Sequence, residues 1–280
     1  MRPLFKRSLS GLIYIMVMVC GLLLHPLCFA ILMMCCIGVM TIEFYTLTVG
    51  HFNKPGQIMG LLSCLLFFVT LFVSARYSLW NAQLWLVLTP LAVIATGISV
   101  LYDKDQGACR HGAFLLLPLL YIAVPFSLCN FIVFDGMGNF SGKLLLSLFI
   151  VLWASDVGGY VIGTAFGQKA TSKKLFPRIS PKKSWIGVVG SVVFSVGVAL
   201  ALKTLGWMAF GWLHCIAISL IISIFGIYGD LVESRLKRYA GVKDSGNIMP
   251  GHGGLLDRFD ASLLAFPVAI GYILFISYFL

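Results

Sequence analysis

The sequence predicts an all-α integral membrane protein, a polytopic bundle of about nine transmembrane helices with a cytoplasmic N-terminus. Hydrophobic residues make up 60% of the 280 residues and charged residues 11%, whereas soluble domains contain about 25% charged residues. The mean hydropathy is +0.99. Apolar stretches near the roughly 20 residues that a spanning helix needs follow one another, separated by short polar or Pro/Gly breaks.

The expected spans are placed in order by these breaks. His25 and Pro26 divide the first two spans. A basic loop at 167–185 separates the sixth span from the seventh, and a charged run at 233–260 separates the eighth from the ninth. The nine spans are 9–24, 27–50, 58–75, 84–101, 113–134, 144–165, 185–205, 211–228 and 262–280.

The first span is short, which leaves a second interpretation of the N-terminus. A cleaved signal peptide would begin with basic residues such as Arg2, Lys6 and Arg7. The apolar character continues past any cleavage site, however. A first transmembrane helix is therefore the favoured interpretation.

The basic residues predict the orientation, because Lys and Arg are retained on the cytoplasmic side of a membrane. With nine spans and the N-terminus inside, 17 of the 20 Lys and Arg residues fall in cytoplasmic segments. The three outside are Arg76, Lys143 and Lys203. The net charge of +10 then reflects topology and an anionic ligand, and no nucleic-acid partner is expected. The short loops suit a bacterial inner membrane, with the charged run facing the cytoplasm.

Ionisable groups concentrate in the second half of the chain. Residues 1–142 contain few of them and are expected to form a scaffold of transmembrane helices, either a dimer contact or a lipid-facing part. Residues 143–280 are expected to form the catalytic transmembrane region of the same membrane domain.

The sixth span contains an acid, Asp156. Acids inside a membrane usually face a polar cavity or a partner, so a functional role is favoured over a structural pair with a lysine. Gly159, Gly163 and Gly167 recur nearby at four-residue spacing and predict close packing against another helix.

The basic loop carries six Lys or Arg residues and ends just before the seventh span. Ser180, Lys182 and Lys183 gather hydroxyl and ammonium groups there. A helix start offers free N–H groups and a positive dipole end, both suited to phosphate oxygens. Anchoring to anionic lipid head groups is the alternative. Since no GxxxxGK[ST] loop occurs, a P-loop ATPase is disfavoured.

The charged run and the residues just before it hold five of the ten Asp and Glu residues. If the eighth helix continues beyond its span, Asp230, Glu233, Ser234 and Lys237 share one face, because residues three, four and seven apart are neighbours on a helix. Ordinary ion pairs of Glu233 with Lys237 or Arg238 are the alternative.

Asp257 and Asp260 repeat the three-residue spacing at the start of the last helix. Two acidic helix ends joined by a glycine-containing loop can converge on one divalent ion. Hard carboxylate oxygens suit Mg²⁺, which completes its shell with water and substrate phosphates. The sequence therefore predicts a magnesium site for a phosphorylated substrate.

The segment 234–260, SRLKRYAGVKDSGNIMPGHGGLLDRFD, resembles the signature of the phosphatidate cytidylyltransferase family, also called CDP-diacylglycerol synthases. The preceding GDL and the earlier segments SDVGGY and SPKKSW resemble that family in the same order, whereas residues 1–140 match only in spanning the membrane repeatedly. Ser184 and Ile186 depart from the expected threonine and glutamate, which leaves the lysine pair in place.

The resemblance implies transfer of the cytidylyl group of CTP to phosphatidate, giving CDP-diacylglycerol and pyrophosphate, with Mg²⁺ required. A second, monovalent cation and a homodimer are left open. The expected metal ligands are Asp230 and Asp257 first, then Asp260, Glu233 and Asp156. The catalytic residues are expected to be Asp230, Asp257, Lys237 and His252. For His252, a hydrogen bond that stabilises its loop is the alternative. The expected nucleotide and phosphate contacts are Ser180, Lys182, Lys183, Ser234, Arg238, Lys243 and Arg258.

Two other classes of protein remain as alternatives. A CTP-dependent lipid kinase acting on polyprenol or phytol would share the membrane chemistry but transfer the γ-phosphate, and it would need a base for the hydroxyl. A transporter would place its acids near the bilayer midplane between repeats. It is disfavoured because most acids lie at cytoplasmic span ends and no repeat is evident.

Overall fold

The computed structural model describes residues 3–77, 79–102, 108–168, 173–248 and 253–279. Helices make up nearly all of the regular structure, which confirms the all-α polytopic prediction. The longer helices are α1 (Pro3–Leu23), α2 (Pro26–Thr48), α3 (Lys54–Arg76), α4 (Leu79–Ser99), α5 (Ala108–Pro118), α8 (Lys143–Phe166), α9 (Trp185–Thr204), α10 (Trp212–Tyr239) and α11 (Leu256–Phe279). Two short helices, α6 (Val124–Leu128) and α7 (Asn130–Val133), follow α5.

Seven helical stretches among the described residues are long and apolar enough to cross a membrane. Two shorter apolar helices, Leu9–Leu23 and Leu86–Tyr102, occupy the places of the first and fourth expected spans. Each expected span thus coincides with an apolar helical stretch. The number that cross the membrane and the side on which the N-terminus lies stay predictions.

The fifth expected span is helical but irregular. Pro118 and Pro125 lack the N–H that an α-helix needs at their positions. Between them the chain widens into a π turn, Leu119–Ala123.

The helices that flank the charged run extend beyond their expected spans. α10 ends at Tyr239 instead of residue 228, and α11 begins at Leu256 instead of residue 262. The expected spans were shorter because a prediction from hydropathy ends a span at the first charged residues. Within the continued part of α10, Glu233 and Lys237 pair across one turn, a spacing that supports a helix. The extension provides the single helical face on which the metal prediction depended.

The basic loop contains a β-hairpin that the all-α prediction did not include. Strand β1 (Lys174–Phe176) pairs antiparallel with β2 (Ser180–Ser184). These strands are three and five residues long and rich in Lys and Ser, so they lack the apolar alternation that predicts a strand. The hairpin leads directly into α9.

The chain forms two compact units. The first contains the chain up to Ser141 together with Val242–Arg258. Its core includes a phenylalanine cluster in which the ring centroids of Phe29 and Phe68 lie 6.1 Å apart and those of Phe72 and Phe134 5.4 Å apart. The second contains Gly142–Gly241 and the chain from Phe259 onward. The division of function between 1–142 and 143–280 stays a prediction.

In the second unit, glycines let α8 and α9 pack closely. A Cβ at Gly158 would stand 2.5 Å from the carbonyl oxygen of Gly190, and one at Gly190 would stand 2.6 Å from that of Gly158. Gly163 also faces the Cα of Gly187, which confirms the predicted packing role of the glycine series.

Serine hydroxyls join three helices of the same unit. Ser223 on α10 lies 2.8 Å from Ser155 on α8 and 2.8 Å from Ser195 on α9, measured between the Oγ atoms. Hydrogen bonds between helices fix their register. This contact lies one residue from Asp156 and two turns before Asp230, so it helps to position the acids of the site.

Candidate active site

An acidic cluster forms where α10 meets α11. Asp230 and Glu233 on α10 and Asp260 on α11 each place one carboxylate oxygen within 4.8 Å of the others. Gly229 explains the close approach, since a Cβ there would stand 2.5 Å from the carbonyl oxygen of Asp260. The structure therefore brings together three of the five acids predicted to hold metal.

Two lysines neutralise part of this cluster. The Lys183 Nζ lies 2.6 Å from Asp230 Oδ2, and the Lys237 Nζ lies 2.5 Å from Glu233 Oε2. The Ser234 hydroxyl donates a hydrogen bond to Asp230 Oδ1 at 3.1 Å. Glu233 is fully buried, and a buried carboxylate is costly unless a cation or hydrogen-bond donor faces it.

These contacts confirm the shared face of α10. They also show that the alternative interpretation, an ion pair between Glu233 and Lys237, is present. The ion pair and a metal-binding role are compatible, because a carboxylate has two oxygens and several lone pairs.

Asp156 adds a fourth acid to this electrostatic group. It lies close enough to Asp260 for the two charges to interact, and so does Lys237. The four acids and the two lysines together carry two net negative charges when all are ionised. A divalent cation would balance that charge.

The donor set fits Mg²⁺. Around an octahedral Mg²⁺ with bonds of about 2.1 Å, ligand oxygens stand roughly 3–4 Å apart. The carboxylate oxygens of Asp230, Glu233 and Asp260, all within 4.8 Å of one another, need small side-chain shifts to reach that spacing. Asp230 has 38% of its side chain exposed, which leaves room for water or substrate oxygens.

The β-hairpin carries Lys183 to the acidic cluster. Its neighbour Lys182 is exposed, and the Lys182 carbonyl accepts a hydrogen bond from the Gln168 amide at 2.9 Å. Ser184 caps α9, with its hydroxyl accepting the Gly187 N–H at 3.2 Å. One N–H of the helix start is therefore already bonded, so the expectation of free N–H groups there was too simple.

Asp257 takes part in a different set of contacts, within the first unit. Its Oδ2 accepts hydrogen bonds from the Ser245 N–H at 2.8 Å, the Ser245 hydroxyl at 2.9 Å and the Gly254 N–H at 2.8 Å. This carboxylate thus fixes the backbone of the signature segment. Its role as a metal ligand stays a prediction.

Glu43 on α2 is the residue that the sequence-based prediction missed. It is 5% exposed. Its carboxylate accepts hydrogen bonds from the Leu255 and Leu256 N–H groups, and the Ser245 hydroxyl lies 3.2 Å from its Oε2. An acid within an apolar helix was the signal that pointed to Asp156. The same signal was present at Glu43, but no motif surrounds it.

The remaining predicted residues are exposed, half-buried or outside the described part. Arg238, Lys243 and Arg258 are exposed, and Ser180 is half-buried in β2. His252 lies outside the described residues. The roles proposed for these residues stay predictions.

Comparison with known proteins decides the family. The model described as the cytidylyltransferase family matches residues 5–276. The chain belongs to the cytidylyltransferase family. The match covers almost the entire chain, including the first 140 residues, whose sequence gave no specific motif.

Curated relatives of this cytidylyltransferase chain carry a more specific name. A protein from Bacillus subtilis (strain 168) named phosphatidate cytidylyltransferase is 33% identical over 217 residues, which cover 76% of this chain and 78% of the relative. Proteins of the same name from Staphylococcus haemolyticus and Staphylococcus aureus (strain COL) are 37% and 36% identical. Those matches cover 59% and 65% of this chain, and 60% and 66% of the relatives. They confirm the resemblance carried by the signature segment.

Proposed function

We propose that the protein transfers the cytidylyl group of CTP to phosphatidate, giving CDP-diacylglycerol and pyrophosphate in phospholipid biosynthesis. The observation that carries the proposal is the acidic cluster of Asp230, Glu233 and Asp260 with its two lysines, in a membrane protein of the cytidylyltransferase family. The name shared by its relatives supports phosphatidate as the acceptor.

The reaction does not require a strong general base. A phosphomonoester has a second pKa of about 6, so much of phosphatidate is dianionic at pH 7. One of its oxygens attacks the α-phosphorus of CTP. The bond from that phosphorus to the oxygen bridging to the β-phosphorus breaks, and pyrophosphate leaves with the electron pair. The protein must hold two anions in line and offset their charge.

The side chains of the acidic cluster suit that task. Asp230, Glu233 and Asp260 would hold Mg²⁺, which supplies positive charge beside the reacting phosphates. Lys183 and Lys237 pair with the carboxylates of Asp230 and Glu233. When substrate binds, the same ammonium groups can donate to phosphate oxygens instead, because each has three N–H groups. The lysines thus orient the triphosphate and offset its charge.

We place this site at the cytoplasmic side of a bacterial inner membrane. CTP is a soluble nucleotide, whereas the acyl chains of phosphatidate remain in hydrocarbon. The acids at the end of α10 and the positive charges of the cytoplasmic segments support a site where the two substrates meet. Neither the membrane nor the sidedness depends on the family match, so each needs its own test.

Purified full-length protein tests the proposal directly. With CTP labelled in the cytidine, phosphatidate and Mg²⁺, we expect the label to enter the lipid phase as CDP-diacylglycerol. The lipid kinase alternative predicts soluble CDP and an unlabelled phospholipid. Folded protein that forms no cytidine-labelled lipid would contradict the proposal.

A further inference from the structure

The buried acid Glu43 contacts the signature segment through two backbone hydrogen bonds and a serine hydroxyl. The Leu255 N–H donates to Glu43 Oε1 at 2.9 Å, and the Leu256 N–H donates to Oε2 at 2.7 Å. The Ser245 hydroxyl lies 3.2 Å from Oε2. All four residues belong to the first compact unit, although Glu43 precedes the segment by about 200 positions.

These contacts provide hydrogen-bond partners for both the Glu43 carboxylate and the N–H groups at the start of α11. A carboxylate with 5% exposure is costly unless donors face it. The first turn of α11 in turn has N–H groups without partners inside the helix, and its positive dipole end favours a negative charge. Glu43 therefore caps the N-terminus of α11. An N-cap residue usually belongs to the same helix, whereas Glu43 lies on α2, far away in the sequence.

A second carboxylate shares the same segment. Asp257 Oδ2 accepts from the Ser245 N–H and the Gly254 N–H at 2.8 Å each, and the Ser245 hydroxyl lies 2.9 Å away. Ser245 thus bridges Glu43 and Asp257, and it is buried within an otherwise largely exposed stretch. Charge-assisted hydrogen bonds of this kind are about twice as strong as neutral ones.

The glycines of the segment match the position of the Glu43 carboxylate. A Cβ at Gly246 would stand 2.6 Å from Glu43 Oε1 and 3.1 Å from its Cδ. A Cβ at Gly254 would stand 2.7 Å from each Glu43 oxygen. Backbone at both positions can approach the carboxylate only because no side chain intervenes.

We propose that Glu43 is a positioning residue for the cytidylyltransferase reaction: it holds Ser245 and the start of α11, and thereby the orientation of Asp257. This inference rests on the proposed function for its kinetic consequence. It gives the N-terminal half of the chain, which carries no motif of its own, a defined contact with the signature segment.

Hydrogen exchange in full-length, detergent-solubilised protein tests the anchoring without requiring activity. In Glu43→Gln, the carboxylate loses its charge and one acceptor oxygen. We expect exchange in peptides covering Ser245 and Leu255–Leu256 to rise about tenfold or more, while peptides of α8 and α9 stay unchanged. The control is Thr48→Val, which removes a hydroxyl that bonds within α2 to the Phe44 carbonyl. An unchanged segment in Glu43→Gln would overturn the proposal.

Steady-state kinetics test the positioning role. Because Glu43 touches no reacting group, we expect kcat per folded Glu43→Gln enzyme to fall about tenfold or more while KM for CTP and phosphatidate changes less than threefold. Wild-type kcat in a variant with raised exchange would overturn the positioning role. If the wild type forms no CDP-lipid, the proposed function fails, while the exchange result still decides the anchoring.

A double-mutant cycle distinguishes loss of the Glu43 contact from general misfolding of a variant. Gly246→Ala should lower kcat by displacing the Glu43 carboxylate. Glu43→Ala removes both the anchor and the clash, so the double variant should match Glu43→Ala within about twofold. Multiplicative losses would mean that the two positions act independently, which contradicts the proposal.

Discussion

At the residue scale, the charge of Asp230 is predicted to be essential. Its carboxylate faces Lys183 and belongs to the acidic cluster. Asp230→Asn keeps the size of the side chain but removes a negative charge and a strong ligand oxygen. We expect kcat to fall about 100-fold, a loss typical of substitutions at metal sites. The Tm should not change, because the Asp230 side chain is partly exposed.

Asp135 provides a matched control for this substitution. It lies in an exposed turn, where hydrogen bonding from the Asn139 side chain and backbone lowers the pKa of the Asp135 carboxyl. Asp135→Asn makes the same chemical change at a residue that is not part of the acidic cluster and should retain full activity. Equal activity of Asp230→Asn and Asp135→Asn would exclude Asp230 from the site.

Lys237 is predicted to contribute to stability as well as to function. Its ammonium is paired with Glu233, which has no exposed surface, and its own side chain is 12% exposed. Lys237→Met leaves that buried carboxylate without its cation, a change that costs about 3 kcal/mol in comparable pairs. We expect a lower Tm, measured by thermal unfolding in detergent.

Two further variants define the cause of that loss. Lys174 donates to the neutral oxygens of Gly167 and Gln168, so Lys174→Met should change Tm much less. Adding Glu233→Gln to Lys237→Met should restore part of the Tm, since the buried side chain that lost the Lys237 ammonium is then neutral. A double variant less stable than Lys237→Met would contradict the account of an ion pair.

At the scale of elements, the crossing of α10 and α11 is predicted to depend on Gly229. A Cβ there would meet the Asp260 carbonyl oxygen at 2.5 Å and the Ala261 Cα at 2.9 Å, and backbone atoms cannot move aside alone. Gly229→Ala should separate the acids of the two helices and lower both Tm and kcat.

Gly271→Ala on α11, where nothing lies within 4 Å, is the control and should be neutral or slightly stabilising. A fully active Gly229→Ala enzyme would show that this close approach is dispensable.

Much of this arrangement was predictable from local patterns. Spacing alone placed Asp230, Glu233 and Lys237 on one face of α10, because helical periodicity connects neighbours in sequence. The β-hairpin was missed because its strands are short and polar. The role of Glu43 was missed for a different reason: its partners lie more than 200 residues away, and no local pattern carries such a contact.

At the scale of the whole molecule, the distribution of Lys and Arg predicts that the site faces the cytoplasm. CTP does not cross a membrane unaided. Inside-out vesicles from bacteria producing the protein should therefore use external CTP at once, whereas right-side-out vesicles should need permeabilisation. The opposite dependence would reverse the predicted orientation without affecting the family.

The central claim, cytidylyl transfer to phosphatidate, is tested most directly by the fate of the CTP phosphates. The purified enzyme is incubated with phosphatidate, Mg²⁺ and CTP labelled at either the α- or the γ-phosphorus. We predict that the α label enters the lipid and the γ label leaves as pyrophosphate, with little of either product in Asp230→Asn. Entry of the γ label into lipid would instead identify a kinase and contradict this account.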